Sequence, residues 1–319
     1  MSWLVNQGLA STLLAIAPAM NQKTIRKQVA LEGIGLHSGK PVRIALSPAP
    51  PNSGIVFRVR GRGEAIPAAP DSVVDSHYAT TIGRNGTRIQ TVEHLLAAAA
   101  GLGIDNLDVE VEGNEIPAGD GSAKPFVVLL AAAGRAQQGA LRRPIVIPYA
   151  IRVGDDHRWV EIVPSDTFRI SYTLDNEHPA IGRQELSSVP TEKLFVDEFA
   201  PARTYAFLKD VGVMRKNGLA RGGSLENAVV IGSRDVVNGL RFRDEFVRHK
   251  ILDLIGDLAL LGRPVVGHVI ARNAGHALNF QLVLAIQRAA GLERRPAGVA
   301  LRRLAPAALP VPAPGLATI

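Results

Sequence analysis

Cysteine is absent from the 319 residues, and this absence narrows the chemistry available to the chain. It excludes disulfides, a thiolate nucleophile and cysteine-ligated zinc sites. Histidine, aspartate and glutamate remain as the strong metal ligands, so a metal site here would have nitrogen and oxygen donors. The absence of cysteine also fits a reducing compartment, and we expect a cytoplasmic protein.

Aromatic residues are also scarce, at 5% of the chain, whereas Lys and Arg outnumber Asp and Glu by 36 to 29. A net charge of +7 favours an anionic small substrate, an anionic membrane surface or nucleic acid. The basic residues are scattered in short clusters, and few aromatic side chains are present for bases to stack on. We therefore expect no nucleic-acid partner, and the simpler interpretation of the arginines is a solvated surface.

No apolar segment has the length or the flanks of a membrane span. The stretch 9–20 is shorter than the ~20 residues that cross a bilayer. It also lacks the basic leader of a secretory signal, because the first positively charged residue is Lys23. We predict at most peripheral membrane association, and we interpret residues 1–19 as an N-terminal extension outside the folded part.

Hydrophobic residues make up 46% of the chain and charged residues 20%, as in folded globular proteins. The length accommodates two domains. Strand patterns are followed by helical patterns in each half, which predicts an α+β fold. We predict domains at 20–140 and 141–300, separated at the polar, glycine-flanked stretch 134–139, and a flexible Pro- and Ala-rich tail at 301–319.

Polar residues at helical spacing provide the first candidate site. His249, Asp253 and Asp257 recur every four positions within an otherwise apolar helical pattern, so they share one helical face. Residues four apart have Cβ atoms ~5–6 Å from each other, close enough for an imidazole and a carboxylate to bind one metal ion. The alternative interpretation is an exposed helix face with a His–Asp pair, and this motif alone does not decide between them.

A second pair of polar residues opens another short helix, which we predict over 92–100 with Thr91 as its N-cap and Gly101 as its stop. Glu93 and His94 are adjacent there, and adjacent helical side chains diverge by about 100°. One can therefore be a third metal ligand while the other lies beside the water that the metal activates. A first-turn carboxylate favoured by the helix dipole is the alternative for Glu93.

The remaining histidines differ in their surroundings. His276 follows a glycine at a predicted helix start, where it can protonate a leaving group while Asp257 orients it and raises its pKa; a capping histidine is the alternative. His37 lies in a turn, and its role stays open. The other histidines have no partner at ligand spacing, and we assign them to the surface or the core: His77, His157, His178 and His268.

Seven sequence blocks carry a family resemblance. They are GIGLHSG at 33–39, TVEHLLAAAAGLGIDN at 91–106, EIPAGDGSAKPF at 115–126, PARTYAF at 201–207, LARGGSLENAVV at 219–230, DEFVRHKILDLIGDLALLG at 244–262 and AGHALN at 274–279. In this order they resemble the UDP-3-O-acyl-N-acetylglucosamine deacetylases, zinc hydrolases of lipid A biosynthesis in Gram-negative bacteria. The resemblance covers about residues 23–286, and several ordered blocks are more specific than any single motif.

The resemblance implies a zinc ion, with Fe²⁺ as the alternative metal, bound by His94, His249 and Asp253. It implies that Glu93 activates the attacking water. These four assignments agree with the interpretation of the residues themselves.

The resemblance also assigns further roles. It makes His276 the general acid, oriented by Asp257, and Thr204 the hydroxyl that helps to stabilise the oxyanion. It places Lys250 against the polar head of the substrate, a UDP-linked acylated amino sugar. Tyr205, which stands where the family often has Phe, is also assigned to substrate binding.

The family's fold also becomes an expectation, namely two similar α+β domains that sandwich their helices between outer sheets, with the active site at their junction. An insert at about 206–223 is expected to shape a passage for the acyl chain, and the protein is expected to be a monomer. Two competing functions remain: a different zinc amidase or a peptidase, although no HExxH sequence is present, and a non-enzymatic binding module with a structural metal.

Overall fold

The computed structural model describes residues 20–292. Strands and helices are mixed along this part of the chain, and the fold is α+β, as the sequence predicts. The predicted extension at 1–19 and the predicted tail at 301–319 both lie outside the described residues.

Two large sheets, whose strands are numbered in chain order, form the framework. The first has the order β2 (Val29–Ile34), β3 (Pro41–Pro48), β9 (Leu107–Glu112), β4 (Ile55–Val59) and β5 (Ala65–Pro67). The second has the order β12 (Ile151–Gly154), β13 (Trp159–Val163), β18 (Val265–Arg272), β14 (Phe168–Asp175) and β15 (Arg183–Ser188), and β11 (Ile145–Val146) pairs with β18.

The two sheets share one topology. In each, four strands precede a fifth that inserts between the second and the third, and the neighbours run antiparallel, antiparallel, parallel and antiparallel in turn. Each half of the chain therefore repeats one α+β unit.

Three smaller sheets complete the strand inventory of the described residues. They are β1 (Asn21–Ile25) with β10 (Arg135–Leu141), β6 (Val73–Asp75) with β7 (Thr81–Arg84) and β8 (Thr87–Ile89), and β16 (Tyr205–Phe207) with β17 (Val229–Ile231). The predicted linker at 134–139 is wrong, because most of it lies in β10. The Gln138 amide donates to the carbonyl of Ala49 at 2.8 Å, so the polarity of this stretch serves hydrogen bonding within the fold.

Within residues 20–292, five helices lie between the large sheets or beside the cavity described below. They are α1 (Glu93–Gly101), α2 (Lys124–Ala133), α3 (Leu208–Lys216), α4 (Glu245–Ala259) and α5 (His276–Ala289), and two short helical segments, Glu192–Leu194 and Phe195–Phe199, precede α3. Helices α1 and α4 pack on each other, while α2 contacts β2 and α5 contacts β12 and β13. The predicted sandwich of helices between sheets is thus present. No helix within residues 20–292 is long and apolar enough to cross a bilayer.

The contact between α1 and α4 is unusually close. A Cβ atom at Gly256 would lie 2.2 Å from the backbone oxygen of Glu93, so only glycine permits this approach. The start of α1 also differs from the prediction: Val92 occupies the N-cap position. Thr91 has a φ of 62°, and its hydroxyl donates to the buried Glu115 carboxylate at 3.3 Å. A tertiary contact, and not a helix cap, therefore holds Thr91.

Candidate active site

Three side chains on the facing helices α1 and α4 form a compact cluster. His94 comes from α1, and His249 and Asp253 come from α4, with exposed fractions of 5%, 3% and 3%. The Asp253 Oδ1 atom lies 3.6 Å from His94 Nε2 and 3.3 Å from His249 Nε2. One ligand atom from each residue lies within 4.8 Å of the others, an arrangement found once among residues 20–292. The alternative of an exposed helix face is therefore excluded.

The chemistry of this cluster fits a divalent cation. Asp253 Oδ1 is buried and has no hydrogen-bond partner, which is costly unless another ligand satisfies it. His249 Nδ1–H donates to the carbonyl of Ala202 at 3.0 Å, which leaves its Nε2 lone pair facing Asp253. Burial lowers the pKa of His249 to about 4, so the imidazole is neutral at pH 7. Two imidazoles and one carboxylate match a zinc site with an open coordination position.

Glu93 begins α1 beside His94 and is 2% exposed. Its Oε2 atom accepts a hydrogen bond from the Thr80 backbone N–H at 3.0 Å. Burial raises the pKa of Glu93, which brings the carboxylate closer to the proton affinity that a general base needs near neutral pH.

His276 begins α5 directly after Gly275. Its Nδ1–H donates to Asp257 Oδ2 at 2.8 Å, and its Nε2 lies 3.8 Å from Asp253 Oδ2. Burial lowers the pKa of His276, but the Asp257 and Asp253 carboxylates outweigh it and raise the pKa to about 10. The imidazole is therefore protonated at pH 7, as a general acid requires.

These groups line one cavity of about 400 Å³. Part of its wall is formed by His94, His249 and Asp253, together with Glu93 and His276. Apolar side chains from the stretch 205–237 form much of the rest, among them Leu208, Val211, Met214, Leu225 and Val237. A polar reaction site with an adjoining apolar wall suits an amphiphilic ligand.

Thr204, Tyr205 and Lys250 line the same cavity. The Lys250 Nζ atom lies 3.6 Å from Asp253 Oδ2 and 5.4 Å from the centre of the Tyr205 ring. Burial lowers the pKa of Lys250, but Tyr205 and Asp253 raise it above its ordinary value, so the amine remains cationic. The structure thus brings all nine predicted site residues together, with Asp257 standing behind His276.

Sequence patterns did not point to Glu115 and Thr80, which lie around this cluster, and they left the role of His37 open. Glu115 is fully buried and accepts hydrogen bonds from the backbone N–H groups of His37 and Ser38, at 2.7 and 2.9 Å. His37 lines the cavity, and its Nε2 atom is buried without a partner. Thr80 contacts both Glu93 and Asp257. Each is a single polar residue in a turn or at a strand end, where no spacing pattern marks it.

Known proteins resemble the chain over most of its length. The sequence profile of the family described as UDP-3-O-acyl N-acetylglycosamine deacetylase matches residues 22–288. The chain belongs to this family.

Three relatives carry the name UDP-3-O-acyl-N-acetylglucosamine deacetylase. The protein of Myxococcus xanthus is 52% identical over 268 residues, which is 82% of this chain and 85% of the relative's length. The protein of Oleidesulfovibrio alaskensis is 50% identical over 264 residues, covering 82% and 87%. The protein of Nitratidesulfovibrio vulgaris is 45% identical over 294 residues, covering 91% and 95%. Matches of this extent reach well beyond the site.

Proposed function

We propose that the protein hydrolyses the N-acetyl group of UDP-3-O-acyl-N-acetylglucosamine, giving UDP-3-O-acyl-glucosamine and acetate in lipid A biosynthesis. The names of its relatives support the substrate. The observation that carries the chemistry is the buried Asp253 Oδ1 atom, which has no hydrogen-bond partner and faces the Nε2 atoms of His94 and His249.

These three residues would hold Zn²⁺, with Fe²⁺ as the alternative ion. When bound, such an ion supplies Lewis-acid chemistry, polarising the acetamide carbonyl and lowering the pKa of water. Glu93 takes a proton from the attacking water, whose oxygen forms a bond to the acetyl carbon. The Thr80 N–H holds one carboxylate oxygen of Glu93 in place for this step.

The departing nitrogen needs a proton, because an amide anion is a poor leaving group. His276 is protonated and donates that proton as the carbon–nitrogen bond breaks, while Asp257 keeps its ring oriented. The Thr204 hydroxyl helps to stabilise the oxyanion on the former carbonyl oxygen. Glu93 then releases its proton and His276 regains one, so that acetate and a free amine leave the enzyme in its starting state.

Substrate recognition divides between charge and apolar surface. Lys250 is a buried cation in the cavity wall, and it would contact the polar head of the substrate together with Tyr205. The 3-O-acyl chain would occupy the apolar part of the cavity, which the proposed insert at 206–223 partly forms.

Organisation and cellular context belong to the same proposal. We place the domains at 20–140 and 141–300, and we place a monomeric enzyme in the cytoplasm. Membrane contact would be at most peripheral, and the exposed side chains of Leu208, Leu225 and Val237 beside the cavity support such contact.

The direct test is acetate release by the zinc-loaded protein. We expect one acetate and one free amine per molecule of UDP-3-O-acyl-N-acetylglucosamine, and much slower release from UDP-N-acetylglucosamine, which lacks the acyl chain. The Asp253→Ala protein is the matched control and should release none. Absence of acetate with the wild type, or equal release by the variant, would refute the proposal.

A further inference from the structure

Thr80 connects the two sides of the reaction site. It precedes β7 and is 2% exposed. Its backbone is fastened to the start of α1 by two hydrogen bonds: its N–H donates to Glu93 Oε2 at 3.0 Å, and its carbonyl accepts from the Val92 N–H at 3.2 Å. The position of Thr80 is therefore tied to that of the Glu93 carboxylate.

The Thr80 side chain reaches the other side of the site. Its hydroxyl donates to Asp257 Oδ1 at 2.6 Å, across 177 residues of sequence. A carboxylate only accepts hydrogen bonds, so the single hydroxyl proton is committed to Asp257. The Thr80 Oγ1 atom also lies 3.4 Å from His276 Nδ1, close to the bond that the imidazole makes to Asp257.

These contacts fix the Asp257 carboxylate at both oxygens. Oδ1 accepts from the Thr80 hydroxyl, and Oδ2 accepts from His276 Nδ1–H at 2.8 Å and from the Asn279 amide at 2.9 Å. Without the hydroxyl, the carboxylate could rotate about its Cβ–Cγ bond and would carry the imidazole ring with it. Hydrogen bonds of this supporting kind set the orientation of the groups that react.

We propose that Thr80 is a positioning residue that sets the spacing between the general base and the general acid. Its backbone holds Glu93, which comes from the first half of the chain. Its hydroxyl holds Asp257, and through it His276, which come from the second half. A single residue thus fixes both proton-transfer groups relative to the acetamide that lies between them. This inference rests on the proposed function.

The hydroxyl can be removed without changing the shape of the side chain. Thr80→Val keeps the branched side chain and the backbone N–H bond to Glu93. We expect kcat to fall about 10- to 100-fold, the range typical for loss of a supporting hydrogen bond at a metal site. KM and zinc content should stay at their wild-type values, because none of the Thr80 hydrogen bonds goes to His94, His249 or Asp253. Thr81→Val is the matched control, since Thr81 is adjacent and 6% exposed, and its kcat should stay within about twofold of wild type.

A second pair of variants isolates the hydroxyl even if valine disturbs folding. Thr80→Ser and Thr80→Ala both lose the methyl group and differ only in the hydroxyl. Serine should restore kcat to within a few-fold of wild type, whereas alanine should not. Equal kcat values for serine and alanine would overturn the proposal, and so would a loss that appears in KM instead of kcat.

A spectroscopic readout is independent of turnover. The downfield proton resonance of His276 Nδ1–H, assigned by its loss in His276→Gln, should shift or broaden in zinc-loaded Thr80→Val and persist in Thr81→Val. An unchanged resonance in Thr80→Val would also count against the inference. If the wild type releases no acetate, the proposed function fails; if it does and Thr80→Val matches it, only the role of Thr80 fails.

Discussion

Replacing Glu93 with glutamine tests its proposed role as general base most sharply. The amide keeps the shape of the side chain and retains an oxygen that can accept the 3.0 Å hydrogen bond from the Thr80 N–H. It cannot take a proton from water. A positioned acid or base contributes ~10²- to 10⁴-fold in rate. Each factor of ten corresponds to about 1.36 kcal/mol of barrier, so the expected increase is about 2.7–5.4 kcal/mol.

The same substitution should leave the fold and the metal in place. Glu93 is 2% exposed, and burial raises its pKa, which means that the folded protein disfavours the charged carboxylate. A neutral amide removes that cost, so the melting temperature should be unchanged or higher. Zinc content should match the wild type, because His94, His249 and Asp253 are untouched.

The assay measures acetate release at saturating substrate together with zinc content by atomic absorption. Glu110→Gln is a suitable control, because it makes the same chemical change at an exposed residue of β9 that does not line the cavity. A Glu93→Gln protein that retains zinc and more than a tenth of wild-type kcat would refute the base assignment. Loss of zinc would instead identify Glu93 as a metal ligand.

Three further predictions follow from the site and its supporting helices. His249→Ala and Asp253→Ala should each lower both zinc content and activity, and full zinc occupancy in both would refute the ligand assignment. His276→Ala should retain zinc but flatten the basic limb of the pH–rate profile. The His276 imidazole must be protonated to act as the acid, and its pKa is raised above the ordinary 6.5, so wild-type activity should fall as pH rises through that pKa. Gly256→Ala should destabilise the fold by about 1–3 kcal/mol, measured by denaturant unfolding, because its Cβ would meet the Glu93 backbone; unchanged stability would contradict the close approach.

Local patterns in the sequence were enough to predict part of the site. The four-residue spacing of His249, Asp253 and Asp257 places them on one face whenever the segment is helical, and α4 is helical throughout that span. The pairing of this face with His94 depends on how α1 packs against α4. No spacing within either helix encodes that packing. The residues alone therefore offered Glu93 or His94 as the third ligand, and the family resemblance selected His94.

The errors and omissions have a common physical origin in long-range contacts. Thr91 has the residue type of an N-cap, but the distant Glu115 carboxylate holds it at a positive φ. The stretch 134–139 has linker composition, yet β10 pairs with β1, more than 100 residues earlier in the chain. Thr80 is polar and sits at a strand end, and only the tertiary fold brings Asp257 to its hydroxyl.

Zinc titration of the metal-free protein, with deacetylation of UDP-3-O-acyl-N-acetylglucosamine as the readout, tests the central claim most directly. The proposed site offers three side chains to one ion, so activity should rise linearly and reach its plateau at one equivalent of zinc per chain. The Asp253→Ala protein should show no such plateau. Full activity in the metal-free wild type, or a one-equivalent plateau in Asp253→Ala, would contradict the account.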